Sequence, residues 1–314
     1  MLSLIIPIYQ NEPNLDRLLA ALSELAPKLP VSMEAVFVID GSPDRSFEIL
    51  RQRLPSAPFP ARLVSLSRNF GSFSAVAAGL EAGAGEYFAV LAADLQEPPE
   101  LVIEFAKLLS SSQADVVFGC RTGRADPWLS ELFSRLFWWL FRVFIVPDMP
   151  RGGVDVFACT RQVRDWLLRC PEANTNLIAL LFWIGFRRRY VSYARRPRTE
   201  GRSAWTIRKK IQYSLDSIFN FTDLPVRLLL LAGSAGLAFS IFFAAILIVL
   251  KLSGKIPVPG YSAIVLIVMF FGALASLGLG IVGQYLWLAL QNTRRRPNGI
   301  VASAEEWGRE KKCE

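Results

Sequence analysis

The chain has 314 residues, 52% of them hydrophobic and only 20% charged, with a net charge of +8 and a mean hydropathy of +0.33. This balance excludes a disordered chain and a collagen-like repeat, and four cysteines without CxxC spacing exclude a disulfide scaffold or structural zinc. No histidine is present, which removes Ser-His-Asp and Cys-His catalysis and His-bound metals, and leaves carboxylates as acid–base groups and hard, oxygen-bound cations as metals.

In chain order, short apolar runs at 3–7, 35–39, 62–66, 87–92 and 115–119 have the length and branching of buried parallel strands. Helical patterns at 14–25, 45–54, 73–82 and 99–110 alternate with them. The alternation predicts an α/β domain with a mostly parallel, twisted sheet over residues 1–160. The first residues carry no basic stretch ahead of an apolar one, so no signal peptide is expected there. Residues 128–146 space Trp128, Leu132, Leu136, Trp139 and Val143 near helical intervals, as an interfacial amphipathic helix or a core helix would.

Residues 161–223 are expected to form a membrane-surface, acceptor-binding segment. Within it, 187–210 hold ten basic residues against the single acid Glu200. From Leu228 to Leu250 there are 23 residues without a charge, and residues 256–293 are again uncharged. A bilayer takes roughly 20 apolar residues per helix, so a transmembrane hairpin is expected over 224–293, with spans at about 228–250 and 264–290, and a cytoplasmic tail at 294–314. Arg208, Lys209, Lys210 and Arg227 precede the first span and Arg294, Arg295 and Arg296 follow the second, against Lys251 and Lys255 between them. The positive-inside rule then places both chain ends and the α/β domain in the cytoplasm. A basic surface at that boundary attracts anionic lipid and leaves no nucleic-acid face.

Ligands of open parallel sheets bind at the carboxyl ends of the strands. There the sequence carries PIYQNE (Pro7–Glu12), IDGSPD (Ile39–Asp44), LSRNFG (Leu66–Gly71) and AADLQEPPE (Ala92–Glu100). Singly each reads as an ordinary turn or helix start; four at one sheet edge read as a site.

These four motifs, with RGGVDVF at 151–157, RPRTEGRSAW at 196–205, and GQYLW and RRRP near the end, resemble the family 2 glycosyltransferases of GT-A fold. The branch they resemble acts on polyprenyl phosphates and includes dolichol-phosphate mannose synthase and bactoprenol-phosphate glucosyltransferases. The resemblance implies inverting transfer of a sugar from a nucleotide-sugar, a UDP-sugar in most such relatives, to a polyprenyl phosphate at the cytoplasmic face of the inner membrane. It implies that Pro7, Tyr9, Glu12, Asp40, Ser42, Arg68 and Asn69 hold the donor nucleotide, and that Asp94 and Gln96 bind Mg2+ or Mn2+ at its diphosphate. Asp155 matches the position taken as catalytic base. Arg198, Arg202 and Ser203 are expected at the acceptor phosphate, where the planar guanidinium suits an oxyanion. A homo-oligomer, a tetramer, is also implied. Three positions depart from the pattern: Ala92 replaces the first carboxylate of Asp-x-Asp, Ile39 the first of Asp-Asp-Gly-Ser, and Ala204 the lysine of Gly-x-Ser-Lys. A catalytically silent membrane scaffold that binds nucleotide-sugar is the alternative those losses open.

Overall fold

A computed structural model describes residues 1–121, 149–150, 154–170, 177–196, 224–253, 261–294 and 296–308. The chain divides into two compact units, Met1–Tyr213 with Pro297–Glu314, and Ser214–Arg296.

The first unit is built on an eight-stranded sheet: β1 (Leu2–Ile8), β2 (Met33–Ile39), β3 (Ala61–Leu66), β4 (Tyr87–Val90), β5 (Val116–Arg121), β6 (Val154–Thr160), β7 (Arg188–Tyr193) and β8 (Val301–Trp307). Their order is β7-β5-β6-β4-β1-β2-β3-β8. β1 pairs in parallel with β2 and β4, and β2 with β3. β6 runs antiparallel between β4 and β5, β7 is parallel to β5, and β8 is antiparallel to β3.

The sequence dictates this layering. β1 and β2 are almost wholly buried, as strands covered on both faces must be, and so read as continuous apolar runs. In α1 (Leu15–Leu25) the buried Leu15, Leu18, Leu22 and Leu25 fall on one helical stripe. They join Leu2, Leu4, Ile6 and Ile8 of β1, Leu50 of α2 (Ser46–Arg53), and Leu101 and Phe105 of α4 (Glu100–Ser110) in one core cluster. α3 (Ser72–Ala82) packs on β1, β2 and β3. α5 (Arg161–Arg169) follows β6, and α6 (Leu177–Ile184) precedes β7. Cys120, Cys159 and Cys170 are free thiols. Burial pushes the Cys159 thiol up to about 12, as expected of a core filler.

The α/β sheet, mostly parallel, is as expected; three strands were not. β6 reverses the direction of the sheet between β4 and β5. β7 lies past residue 160, where the α/β domain was expected to end, and β8 lies inside the stretch expected to be a tail. Arg51–Glu305 and Arg62–Glu306 ion pairs, at 3.0 and 3.3 Å, join β8 to α2 and β3.

The second unit contains α7 (Leu224–Leu252) and α8 (Tyr261–Thr293). Among the described residues one stretch, Phe270–Gln291, is long and apolar enough to cross a membrane, and a shorter apolar stretch is Pro225–Gly236. The interfacial helix expected at 128–146 lies outside the described residues.

Candidate active site

Because β1 to β4 are parallel, the loops after Ile8, Ile39, Leu66 and Val90 emerge at one edge of the sheet. β5 and β7 run the same way, and antiparallel β6 begins there. The four sequence motifs, the start of β6 and the segment after β7 therefore share one rim.

The first two loops are locked to each other by side chains. The Gln10 amide donates to Ser42 Oγ at 2.7 Å, and that hydroxyl donates to Asp44 Oδ1 at 2.6 Å. The Glu12 amide donates to Asp44 Oδ2 at 3.0 Å. Glu12 in turn accepts from the Arg45 amide at 3.0 Å, and its Oε1 accepts from Arg45 Nε and Nη2 at 3.0 and 2.7 Å. The Arg45 amide and side-chain bonds hold the Glu12 carboxyl below its ordinary range. Asp44 is also held low: burial alone would raise it, but the hydrogen bonds from Ser42, Ser46 and the Glu12 amide outweigh that. Glu12 and Ser42, expected at the nucleotide, are thus tied into the rim by Asp44, the last residue of IDGSPD, and by Arg45, a partner the sequence did not single out. Gln10 sits at φ +54°, a left-handed turn that a non-glycine residue adopts at a cost. Pro7 is half-buried in β1, and Tyr9 is 36% exposed just beyond it.

Asp40 binds the third loop. It is buried, and its two carboxylate oxygens accept from the Phe70 amide at 2.7 Å and the Gly71 amide at 2.9 Å. Burial raises its pKa above the ordinary value, against the lowering by those amides and by Arg68. Gly41 follows at φ +57°, and a Cβ there would lie 2.2 Å from Arg68 C and 2.3 Å from Asn69 N. Only glycine allows the second and third loops to touch in this way. Arg68 lies 4.0 Å over the Phe70 ring and donates from Nη1 to the Asn69 carbonyl at 3.1 Å. Arg68 and Asn69 are exposed beyond the Asp40 anchor. The next contact outward comes from the far end of the chain: the Ser67 amide donates to the Ile300 carbonyl at 2.9 Å, just before β8.

The loop after β4 carries Asp94, Leu95 and Gln96. Leu95 is buried at φ +53°. Strained positions of this kind cluster at ligand sites. Asp94 and Gln96 are half-buried, and the Gln96 amide donates to Asp94 Oδ1 at 3.3 Å. Gln96 Oε1 accepts from Arg195 Nη2 at 2.5 Å, and Arg195 Nε lies 3.7 Å from Oε1 of the buried Glu97. The Arg196 amide donates to the Gln96 carbonyl at 2.8 Å, and its Nη2 lies 3.3 Å from Glu100 Oε2. Arg195 was visible in the sequence only as a member of a basic run, and Arg196 as the first residue of RPRTEGRSAW.

The donor set here is a carboxylate and an amide oxygen, hard ligands of the kind Mg2+ and Mn2+ take. Ala92 offers a methyl group, and among the described residues no group of three or more His, Cys, Asp or Glu could hold a metal. The chain therefore fits a divalent cation as a partial shell that substrate oxygens would complete, the usual arrangement for Mg2+ on a phosphate.

On β6 the register steps from Gly119–Val156 to Cys120–Val154, which leaves Asp155 as the extra residue of a bulge at the same rim. Arg198, Arg202 and Ser203 lie outside the described residues.

The family model of glycosyl transferase family 2 matches residues 3–163. An uncharacterized glycosyltransferase of Synechocystis sp. is 30% identical over 98% of this chain and 96% of its own. The bactoprenol glucosyl transferase of Shigella phage SfV is 26% identical over 97% of this chain and 99% of its own. Among solved structures, glucosyl-3-phosphoglycerate synthase from Mycobacterium tuberculosis in complex with Mg2+ and uridine diphosphate superposes with a TM-score of 0.50 at 18% identity, covering 70% of this chain and 77% of that one. That likeness establishes the shared fold.

Proposed function

The chain belongs to glycosyl transferase family 2, and from that premise we propose that it transfers a sugar from a UDP-sugar to a polyprenyl phosphate at the cytoplasmic face of the inner membrane. It is a glycosyltransferase acting on a nucleotide-sugar. The observation that carries the lipid acceptor is the likeness to a bactoprenol glucosyl transferase along 97% of this chain, α7 and α8 included.

Topology supports the membrane reading. β8 is hydrogen-bonded into the same sheet as β1 to β7, so the chain returns to its first unit after residue 296. A single crossing by α8 would leave β8 and its partner β3 on opposite sides of the bilayer. A crossing by α8 therefore requires a second by α7, and the 29 residues of α7 are long enough for one. Basic residues concentrate at the outer ends of this pair, which supports a cytoplasmic position for those ends in this reading.

In this reading the exposed Tyr9, Arg68 and Asn69, beside Pro7 and Asp40, receive the nucleoside. Asp40 acts mainly by fixing the loop that carries Arg68 and Asn69; its carboxylate has further lone pairs available to a base N–H. Asp94 and Gln96 would hold Mg2+ or Mn2+ together with diphosphate oxygens, and the cation would supply charge neutralisation for the leaving group. The acceptor phosphate oxygen attacks the anomeric carbon, the glycosidic bond to the diphosphate breaks, and the nucleoside diphosphate departs with the bonding pair, inverting the configuration. A phosphate monoester has a second pKa of about 6 and is already anionic near neutral pH. Asp155 then serves to orient the acceptor more than to deprotonate it. Arg198, Arg202 and Ser203 bind its phosphate, and proximity of the two charged substrates provides much of the acceleration.

The test is to incubate the purified full chain with undecaprenyl phosphate and a panel of UDP- and GDP-sugars, and to weigh the lipid by mass spectrometry. A lipid heavier by one sugar residue is expected, with Asp94→Asn reducing its formation by at least about a hundredfold. Nucleotide binding without transfer from any donor would overturn the reading in favour of a silent scaffold.

A further inference from the structure

We propose that Arg195 is a ligand of the donor diphosphate, a fixed cation built into the rim where one metal-binding carboxylate is missing. The inference rests on the nucleotide-sugar reading above and deepens it. Ala92 leaves Asp94 as the one carboxylate of its motif, so the cation shell that the chain provides is thin. Beside it, the turn from Asp94 to Glu100 is laced to the segment after β7 by the Arg196 amide on the Gln96 carbonyl. That backbone bond sets where Arg195 can stand. The Arg195 side chain, 33% exposed, then spends Nη2 on Gln96 Oε1 at 2.5 Å and faces Glu97, 3% exposed, with Nε at 3.7 Å. Among the described residues Nη1 has no partner. A guanidinium gripped along one edge, with its remaining N–H groups directed away from the grip, is preorganised to receive an oxyanion.

The same contact bears on the metal. The Gln96 amide oxygen, expected to coordinate a cation, already accepts from a positive group. A divalent ion drawn to that oxygen must share it with the guanidinium and meets like-charge repulsion. Arg195 therefore substitutes for part of the metal's charge on the diphosphate, and nucleotide binding depends on it most when no metal is present. Arg196 points instead to Glu100 at 3.3 Å and serves to fix the segment.

The test measures binding of uridine, UMP and UDP to the full chain in detergent micelles by titration calorimetry, first in EDTA and then with Mg2+, with GDP as a second probe. Wild type is expected to bind UDP more tightly than uridine in EDTA. Arg195→Gln should remove at least about tenfold of that gain while leaving uridine affinity within twofold, and Arg195→Lys should restore part of it. Equal losses for uridine and UDP, or a gain retained within twofold in Arg195→Gln, would overturn the proposal while leaving the nucleotide-sugar reading intact. Failure of wild type to bind any of these nucleotides in either condition would overturn both.

Discussion

Replacing Gly41 with alanine tests the claim that the second and third rim loops hold each other. The backbone at φ +57° costs about 1–2 kcal/mol for a residue with a Cβ. The larger effect is steric. A methyl carbon 2.2 Å from Arg68 C and 2.3 Å from Asn69 N meets main chain that has no flexible end to swing away. Restoring a van der Waals separation of about 3.5–4.0 Å requires the loops to part by about 1.3–1.8 Å. That displacement stretches the 2.7 and 2.9 Å bonds from the Phe70 and Gly71 amides to Asp40, and hydrogen bonds to a charged group contribute about 1.5–3 kcal/mol each. Losing even one, together with the strain, gives a cost of about 2.5–5 kcal/mol, which for a domain of this size corresponds to a Tm lower by about 5–20 °C. Gly71→Ala is the control: Gly71 is at φ +98°, yet a Cβ there meets nothing within 4 Å, so only backbone strain of about 1–3 kcal/mol is expected. Thermal melts in detergent and UDP titrations read both variants. Gly41→Ala should lose at least about tenfold in UDP affinity beyond the Gly71→Ala loss. A Gly41→Ala chain that melts within 2 °C of wild type and binds UDP within about twofold would show that the loops do not depend on this contact.

Two further outcomes follow from the same geometry. Ending the chain at Arg296 removes β8 and the Ile300 carbonyl that receives the Ser67 amide; UDP affinity should fall by about tenfold or more, whereas ending it after Gly308 should leave affinity unchanged, and a full-affinity chain ending at Arg296 would refute the link. pH separates two buried-edge aspartates by sign. Hydrogen bonds from Arg187 hold Asp115 below its ordinary value, so its stabilisation is present above pH of about 4 and lost as pH falls through the lowered pKa; the Tm penalty of Asp115→Asn should shrink in acid. Burial raises Asp40, so its contribution is present below pH of about 4 and lost as pH rises through the raised pKa, and the penalty of Asp40→Asn should grow in acid. Matching slopes for the two variants would contradict these assignments.

The parts of the fold that were legible are those where burial writes a simple pattern. β1 and β2 are covered on both faces, and their uninterrupted apolar runs admit few other readings. β7, RRYVSY, and β8, VASAEEW, sit at the two edges of the sheet with exposed residues scattered through them. An edge strand needs only one apolar stripe and tolerates charge, which blunts its signal. β8 is further disguised by lying beyond α8, where a polar stretch after an apolar helix reads as a tail. Its pairing with β3 follows from contact between parts of the chain more than 200 residues apart, as the 244 positions between Arg62 and Glu306 show.

The site divides along the same line. Turn chemistry is local, so Asp40-Gly41-Ser42 and Asp94-Leu95-Gln96 could be placed at strand ends from sequence. What each side chain is committed to is not local. Ser42 and Glu12 look like ligand groups in isolation, yet Ser42 accepts from the Gln10 amide 32 positions away and Glu12 from Arg45 33 positions away, bonds that tie the two loops together. Asp40 looks like a base-binding carboxylate, yet both its oxygens anchor the loop bearing Arg68 and Asn69. Arg195 shows the converse. Its type was apparent, but ten basic residues crowd 187–210, and nothing in that run distinguishes the one whose guanidinium meets an amide oxygen 99 positions away. That selection is made by β7 pairing with β5 in parallel, which delivers Arg195 to the Asp94 turn. The pairing that sequence reads worst is therefore the one that brings the Arg195 guanidinium to the Gln96 amide oxygen.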